Sequence, residues 1–78
     1  MNGKQFNLGK TEVGILHILK EKSKEETEVS RAVLSQGLAV STHIVSTAIK
    51  RLSQKGLISR NSKTLSLTET GKHIEKLL

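Results

Sequence analysis

The chain reads as a mainly α fold with one small β hairpin near its C-terminal end, an α+β arrangement within 78 residues. Three observations lead there. Apolar residues recur at helical spacing in four segments. The period drops from about 3.6 to about 2 after residue 56. A Ser, Thr or Gly stands at nearly every change of pattern. Proline is absent, so small residues must make every break.

Residues 1–8 show no periodicity and are expected to form a flexible N-terminal arm, leaving one domain over residues 9–78. The first helix begins at Gly9 or Lys10, with Glu12 near its positive end. Ile15, Leu16, Ile18 and Leu19 form its apolar stripe, and Lys20 and Lys22 suit its C-terminal end. Residues 23–28 (SKEETE) read as a charged, solvated connection, with a very short strand around Glu28 and Val29.

Ser30 is a suitable N-cap for a second helix over residues 31–38, where Leu34 and Leu38 face the core at i, i+4. Ala39 and Val40 make a tight turn. Ser41 then caps a third helix running from Thr42 to about Lys55, ended by Gly56. Its wheel separates cleanly. Val45, Ala48, Ile49 and Leu52 share one face, and His43, Thr47, Lys50 and Gln54 share the other, flanked by Ser46 and Arg51. Leu57 to Arg60 reads as a strand, Asn61-Ser62-Lys63 as a turn, and Thr64 to Leu67 as the returning strand. Leu65 and Leu67 lie on its buried face. Thr68 caps a last helix with Ile74, Leu77 and Leu78 on one side.

Charge is segregated along this order. Asp is absent, and no acidic residue stands between Glu28 and Glu69. In the first 29 residues, Lys4, Lys10, Lys20, Lys22 and Lys24 are balanced by Glu12, Glu21, Glu25, Glu26 and Glu28. The remaining residues carry Arg31, Lys50, Arg51, Lys55, Arg60, Lys63, Lys72 and Lys76 against Glu69 and Glu75, so the whole net charge of +6 belongs to them. A positive field localised in this way is the electrostatic footprint of nucleic-acid binding.

Composition narrows the remaining classes. Without Cys there is no disulfide staple, thiolate zinc site or cysteine nucleophile. His17 and His73 fall on different helices with no Asp or Cys near them, so no metal site is expected. No acid–base or nucleophile constellation can be assembled, so neither catalysis nor a cofactor is expected. Phe6 is the sole aromatic, which argues against binding by base stacking on aromatic rings. No apolar run approaches ~20 residues and no signal-peptide segment is visible, so the chain reads as cytoplasmic and nucleoid-associated, without membrane contact. A domain of this size buries only roughly 60–65% of its unfolded surface, which makes a homodimer reasonable.

The order of elements resembles the winged helix-turn-helix regulators of the MarR and ArsR types. The residues that carry the likeness are Ser30-Arg31-Ala32-Val33-Leu34-Ser35, Leu38-Ala39-Val40-Ser41, and Val45-Ser46-Thr47-Ala48-Ile49-Lys50-Arg51-Leu52. They continue through Lys55-Gly56-Leu57-Ile58 and Leu67-Thr68-Glu69-Thr70-Gly71. The likeness spans about residues 8–78. It lacks the long C-terminal dimerisation helix and effector domain of the larger members, and so looks closer to the compact winged helices encoded by archaeal viruses and plasmids.

The resemblance implies a double-stranded DNA-binding transcriptional regulator, most simply a repressor occluding a promoter, with its third helix in the major groove and its wing on the backbone or minor groove. Carried over, Ser41, Thr42, His43, Ser46, Thr47, Lys50 and Arg51 form the recognition surface. Ser30 and Arg31 join it from the preceding helix, and Arg60, Asn61 and Lys63 from the wing. For His43 two readings stand: a phosphate or guanine contact, or an exposed neutral residue of the first turn. In related winged helices the chain termini form a dimer seam, which assigns Phe6, Leu8, Ile74, Leu77 and Leu78 to it. Alternatively, these residues close the monomer's own core. No small-molecule effector is evident. The rival reading is a winged helix used as a protein-interaction module within a larger nucleoprotein assembly, which should carry an apolar or mixed patch on the third helix.

Overall fold

Three hydroxyl caps start helices in this chain, and a glycine stops one. The computed structural model describes residues 8–25, 29–61 and 64–77. Within them run α1 (Lys10–Lys24), α2 (Arg31–Leu38), α3 (Thr42–Gln54), β1 (Ile58–Asn61), β2 (Thr64–Leu67) and α4 (Glu69–Leu77). The Ser30 hydroxyl accepts the Val33 N–H at 3.4 Å and the Ser41 hydroxyl accepts the Ile44 N–H at 3.3 Å, so each serine satisfies an amide that its helix cannot. Gly56, at φ +75°, ends α3. Its N–H donates to Ser53 O and that of Leu57 to Leu52 O, both at 3.0 Å. That pair of bonds is a Schellman closure, and its left-handed residue is best filled by glycine. α2 closes in the same way: Ala39 donates to Gln36 O and Val40 to Ser35 O. Here, however, the left-handed position, φ 56°, is held by alanine.

The α2–α3 angle is 113°, within the range of a helix-turn-helix. The Ser35 hydroxyl donates to Val40 O and fixes the turn between the two helices. Ile15, Leu16 and Leu19 of α1, Leu34 of α2, and Val45, Ala48, Ile49 and Leu52 of α3 meet in one core, with Leu57, Ile58, Leu65 and Ile74 closing it from the C-terminal side. The four α3 members are those its wheel predicts.

β1 and β2 pair antiparallel, from Ile58 opposite Leu67 to Asn61 opposite Thr64. A third partner is a single residue: Val29 bridges Leu65, whose N–H donates to Val29 O at 2.9 Å. The hairpin leaves the core through Thr68. Its N–H donates to Leu57 O at 3.1 Å, and its hydroxyl donates to Gly56 O at 2.6 Å while accepting the Gly71 N–H at 3.0 Å. A Cβ on Gly71 would lie 1.9 Å from Leu57 O, so α4 docks on that carbonyl only because residue 71 has no side chain. This is the physical content of the Leu67-Thr68-Glu69-Thr70-Gly71 segment.

The structure corrects the sequence reading at four places. Ser23 and Lys24 belong to α1 and not to the connection; the helix is extended by basic residues in its last turn and the i, i+3 pairs Lys24–Glu21 and Lys22–Glu25. Leu57 precedes the strand because its amide is used to close α3. Asn61 belongs to β1 and not to the turn. Ile74, assigned to a dimer seam, is buried in the chain's own core, since the docking of α4 on Leu57 turns that face inward. Leu8 is half-buried against the same core, while Leu77 stays 47% exposed. The expectations for the arm over residues 1–7, for Phe6, Lys63 and Leu78, and for the Asn61 side chain lie outside the described residues.

Candidate nucleic-acid interface

α3 stands as a ridge between two clefts. The larger, about 710 Å³, lies between α3, the start of α2 and the hairpin, and Arg31, His43, Ser46 and Arg60 are among the residues that line it. The smaller, about 300 Å³, lies between α3 and the start of α1 and is lined in part by Lys10, Thr11, His43, Thr47 and Arg51. His43 borders both, which places the first turn of α3 at the crest. Lys50, two turns further along the exposed face, is open to solvent with Thr47 and Gln54.

The cations here are not neutralised. Among the described residues, Lys10, Lys50, Arg51 and Arg60 have no hydrogen-bond or ion-pair partner for their side chains, and no acid lies on the crest. Arg31 is held differently. Its Nη1 donates to the Ser46 hydroxyl at 3.1 Å, laying the guanidinium across from α2 to α3. Ser46, predicted to meet the ligand directly, is thereby half-buried and positions Arg31. The Thr47 hydroxyl donates to His43 O at 3.2 Å, one turn back along its own helix, which leaves the γ-methyl as the part of that side chain not held by a bond. Ser30 and Ser41 act as caps, and Thr42 is exposed at the head of α3.

The fold therefore gathers Ser30, Arg31, Thr42, His43, Ser46 and Arg60 around the larger cleft, with Thr47 and Arg51 on the smaller. Three residues of this surface escaped the sequence reading. Lys10 was assigned to the start of the first helix and to the electrically neutral N-terminal segment, and Thr11 was not singled out. A lysine in the first turn of a helix stands against the helix dipole, and that misfit was the available signal. Ile44 is the third: it lies on neither the core face nor the polar face of the wheel, and it is 46% exposed.

The α1–α4 side is also charged, and most of its lysines are matched within the chain, Lys76 being the exception among the described residues. Glu75 of α4 accepts from Lys20 Nζ at 3.0 Å and pairs with His17 Nδ1 at 2.7 Å, joining α4 to α1. Burial works against the Glu75 carboxylate, yet the bonds and charges of Lys20 and His17 outweigh it and hold its pKa below the ordinary value. Glu12, by contrast, lines the smaller cleft beside α3; only 5% exposed, it is satisfied there by the Gly9 N–H at 3.0 Å and Lys55 Nζ at 3.3 Å. Among the described residues no three potential ligands come together to hold a metal ion, and no single helix is long and apolar enough to cross a membrane.

These elements in this order define a winged helix-turn-helix: α2 and α3 are the helix pair, and β1 and β2 the wing. The chain is similar in structure to a MarR/EmrR family transcriptional regulator from Acinetobacter sp. ADP1, with a TM-score of 0.79 and 26% sequence identity over 95% of its length. It spans 52% of that protein's chain. No protein-family model matches the sequence, and neither does any curated protein.

Proposed function

We propose that this chain binds double-stranded DNA and regulates transcription, with α3 in the major groove, the wing on the backbone or minor groove, and no catalytic activity of its own. The observation that carries the reading is the exposed ridge of α3, which bears no acid and is flanked by clefts in which Lys10, Arg51 and Arg60 lack internal partners. A major groove is bordered by two sugar–phosphate strands. A ridge with Arg31 and Arg60 on one flank and Lys10 and Arg51 on the other matches that layout. The likeness to a transcriptional regulator over nearly the whole chain supports the same reading.

Occlusion of a promoter is the simplest mode for a domain this small. One α3 reads about 4 base pairs, too few to address a genome, so two copies are proposed to act on half-sites about one helical turn apart. With Ile74 committed to the core, the seam falls to Leu8 and Leu77, together with Phe6 and Leu78. Sedimentation of the full chain with and without DNA tests this; a monomer under both conditions would rule the pair out.

Fluorescence anisotropy on labelled duplex across a salt series tests the central reading. A dimer neutralising ~6 phosphates should give log K against log[salt] a slope around −5. A slope near zero would mean that the basic crest serves another purpose, such as docking a protein.

A further inference from the structure

We propose that Ile44, with the γ-methyl of Thr47, recognises thymine by its 5-methyl group in the major groove. The inference rests on the DNA-binding reading above and assigns part of its sequence preference to an apolar contact.

α3 sends Val45, Ala48, Ile49 and Leu52 into the core, but leaves Ile44, in its first turn, 46% exposed. Single exposed aliphatics are ordinary on a protein surface. This one is framed by charge. Ile44 and Thr47 line the smaller cleft with Lys10, Arg51 and His43, and the carboxylate that also lines it, Glu12, is 5% exposed and paired with Lys55, so an apolar strip sits beside groups suited to phosphate. At spacings of i, i+3 and i+7, Ile44, Thr47 and Arg51 follow one ridge. The Thr47 hydroxyl is bonded back to His43 O, so the free portion of that side chain is a methyl beside Ile44.

The first turn of a recognition helix is where base edges are met. Along the major-groove edge every base presents hydrogen-bonding groups, and only thymine adds an apolar one, its C5-methyl. Ile44 has neither donor nor acceptor. Against a G·C pair it would cover polar edge groups and leave them unpaired, which is unfavourable. Against thymine it buries methyl on methyl. The strip therefore selects thymine both by attraction and by exclusion.

The test uses the duplex that the full-length protein enriches from a random pool, resynthesised with deoxyuridine replacing one thymine at a time, so that each change removes a single methyl. The wild-type chain should bind about four-fold more weakly at one or two positions, the size expected for one buried methyl. Ile44→Ala should bind the thymine and uracil forms alike. Ile44→Val should keep part of the preference, and Thr47→Ser, which retains the hydroxyl but loses the methyl, should reduce it. Because Ile44 is exposed, circular dichroism should show these variants folded. A thymine-to-uracil ratio that survives Ile44→Ala, or uracil that is neutral at every position while binding stays tight and salt-dependent, would overturn this inference and leave the DNA-binding reading intact. A pool with no enrichment and no salt slope would remove both.

Discussion

The α1–α4 side and the α3 crest carry the same kinds of charged residue and use them in opposite ways. On the α1–α4 side, Lys20 and His17 meet Glu75, and Lys22, Lys24 and Lys72 meet Glu25, Glu21 and Glu69. On the crest Lys50, Arg51 and Arg60 meet nothing among the described residues. Of these matched charges, those on Glu75 join α4 to α1, and the rest pair within one helix or its cap. Unmatched charges of one sign repel each other, weaken the fold slightly and attract an opposite polymer. The contrast separates charges that are met within the chain from charges that are not, a division that composition alone does not show.

Several substitutions would sharpen or break that division. The largest effect belongs to neither charge set and calibrates the rest. Gly71→Ala puts a methyl into the Leu57 carbonyl and should cost at least about 3 kcal/mol, enough to unfold much of a domain this size, read by thermal denaturation. Next comes Lys50→Ala, which should weaken DNA binding by about 1–3 kcal/mol while leaving the melting temperature unchanged or slightly raised. Loss of stability there instead would dissolve the contrast.

Glu75→Gln should do the reverse, lowering stability by at most about 1 kcal/mol at neutral pH with the salt slope of DNA binding intact. Because the Glu75 pKa is depressed in the folded state, its contribution is present above the ordinary carboxylate value of 4.5 and fades as pH falls through the lower folded value. The gap between wild type and variant should therefore close on acidification; a gap constant with pH would mean that packing, not charge, was lost. The smallest effect is a gain. Ala39→Gly relieves a left-handed alanine but frees the unfolded chain, for a net of about 0.5 kcal/mol in favour of the fold by chemical denaturation.

How far the sequence revealed this follows from the range of the forces involved. Ser30, Ser41 and Gly56 act within one turn of helix, and the two faces of α3 follow from its period alone, so all were legible. The β2 boundaries were legible for the same reason. Ile74 was misread because its burial depends on Gly71 meeting a carbonyl fourteen residues upstream. Lys10 and Thr11 join the crest only through the packing of α1 beside α3, which periodicity does not encode. The hydroxyls of Ser46 and Thr47 were both assigned to the recognition surface. One is taken by Arg31 from another helix and the other by a carbonyl of its own, and only coordinates distinguish those fates from exposure.

The three bonds at Thr68 have a consequence for how such a domain can diversify. Two of them tie the exit of β2 to Gly56 and Leu57 at the end of α3 and the third caps α4, so the base of the hairpin is closed independently of whatever joins Asn61 to Thr64. Lengthening that connection adds chain to a loop already pinned at its root, at a closure cost of only about 0.6 kcal/mol per doubling. Reach toward a ligand and integrity of the core are thus set by different residues, and the hairpin tip can be rebuilt to any length a new target requires while α4 stays seated.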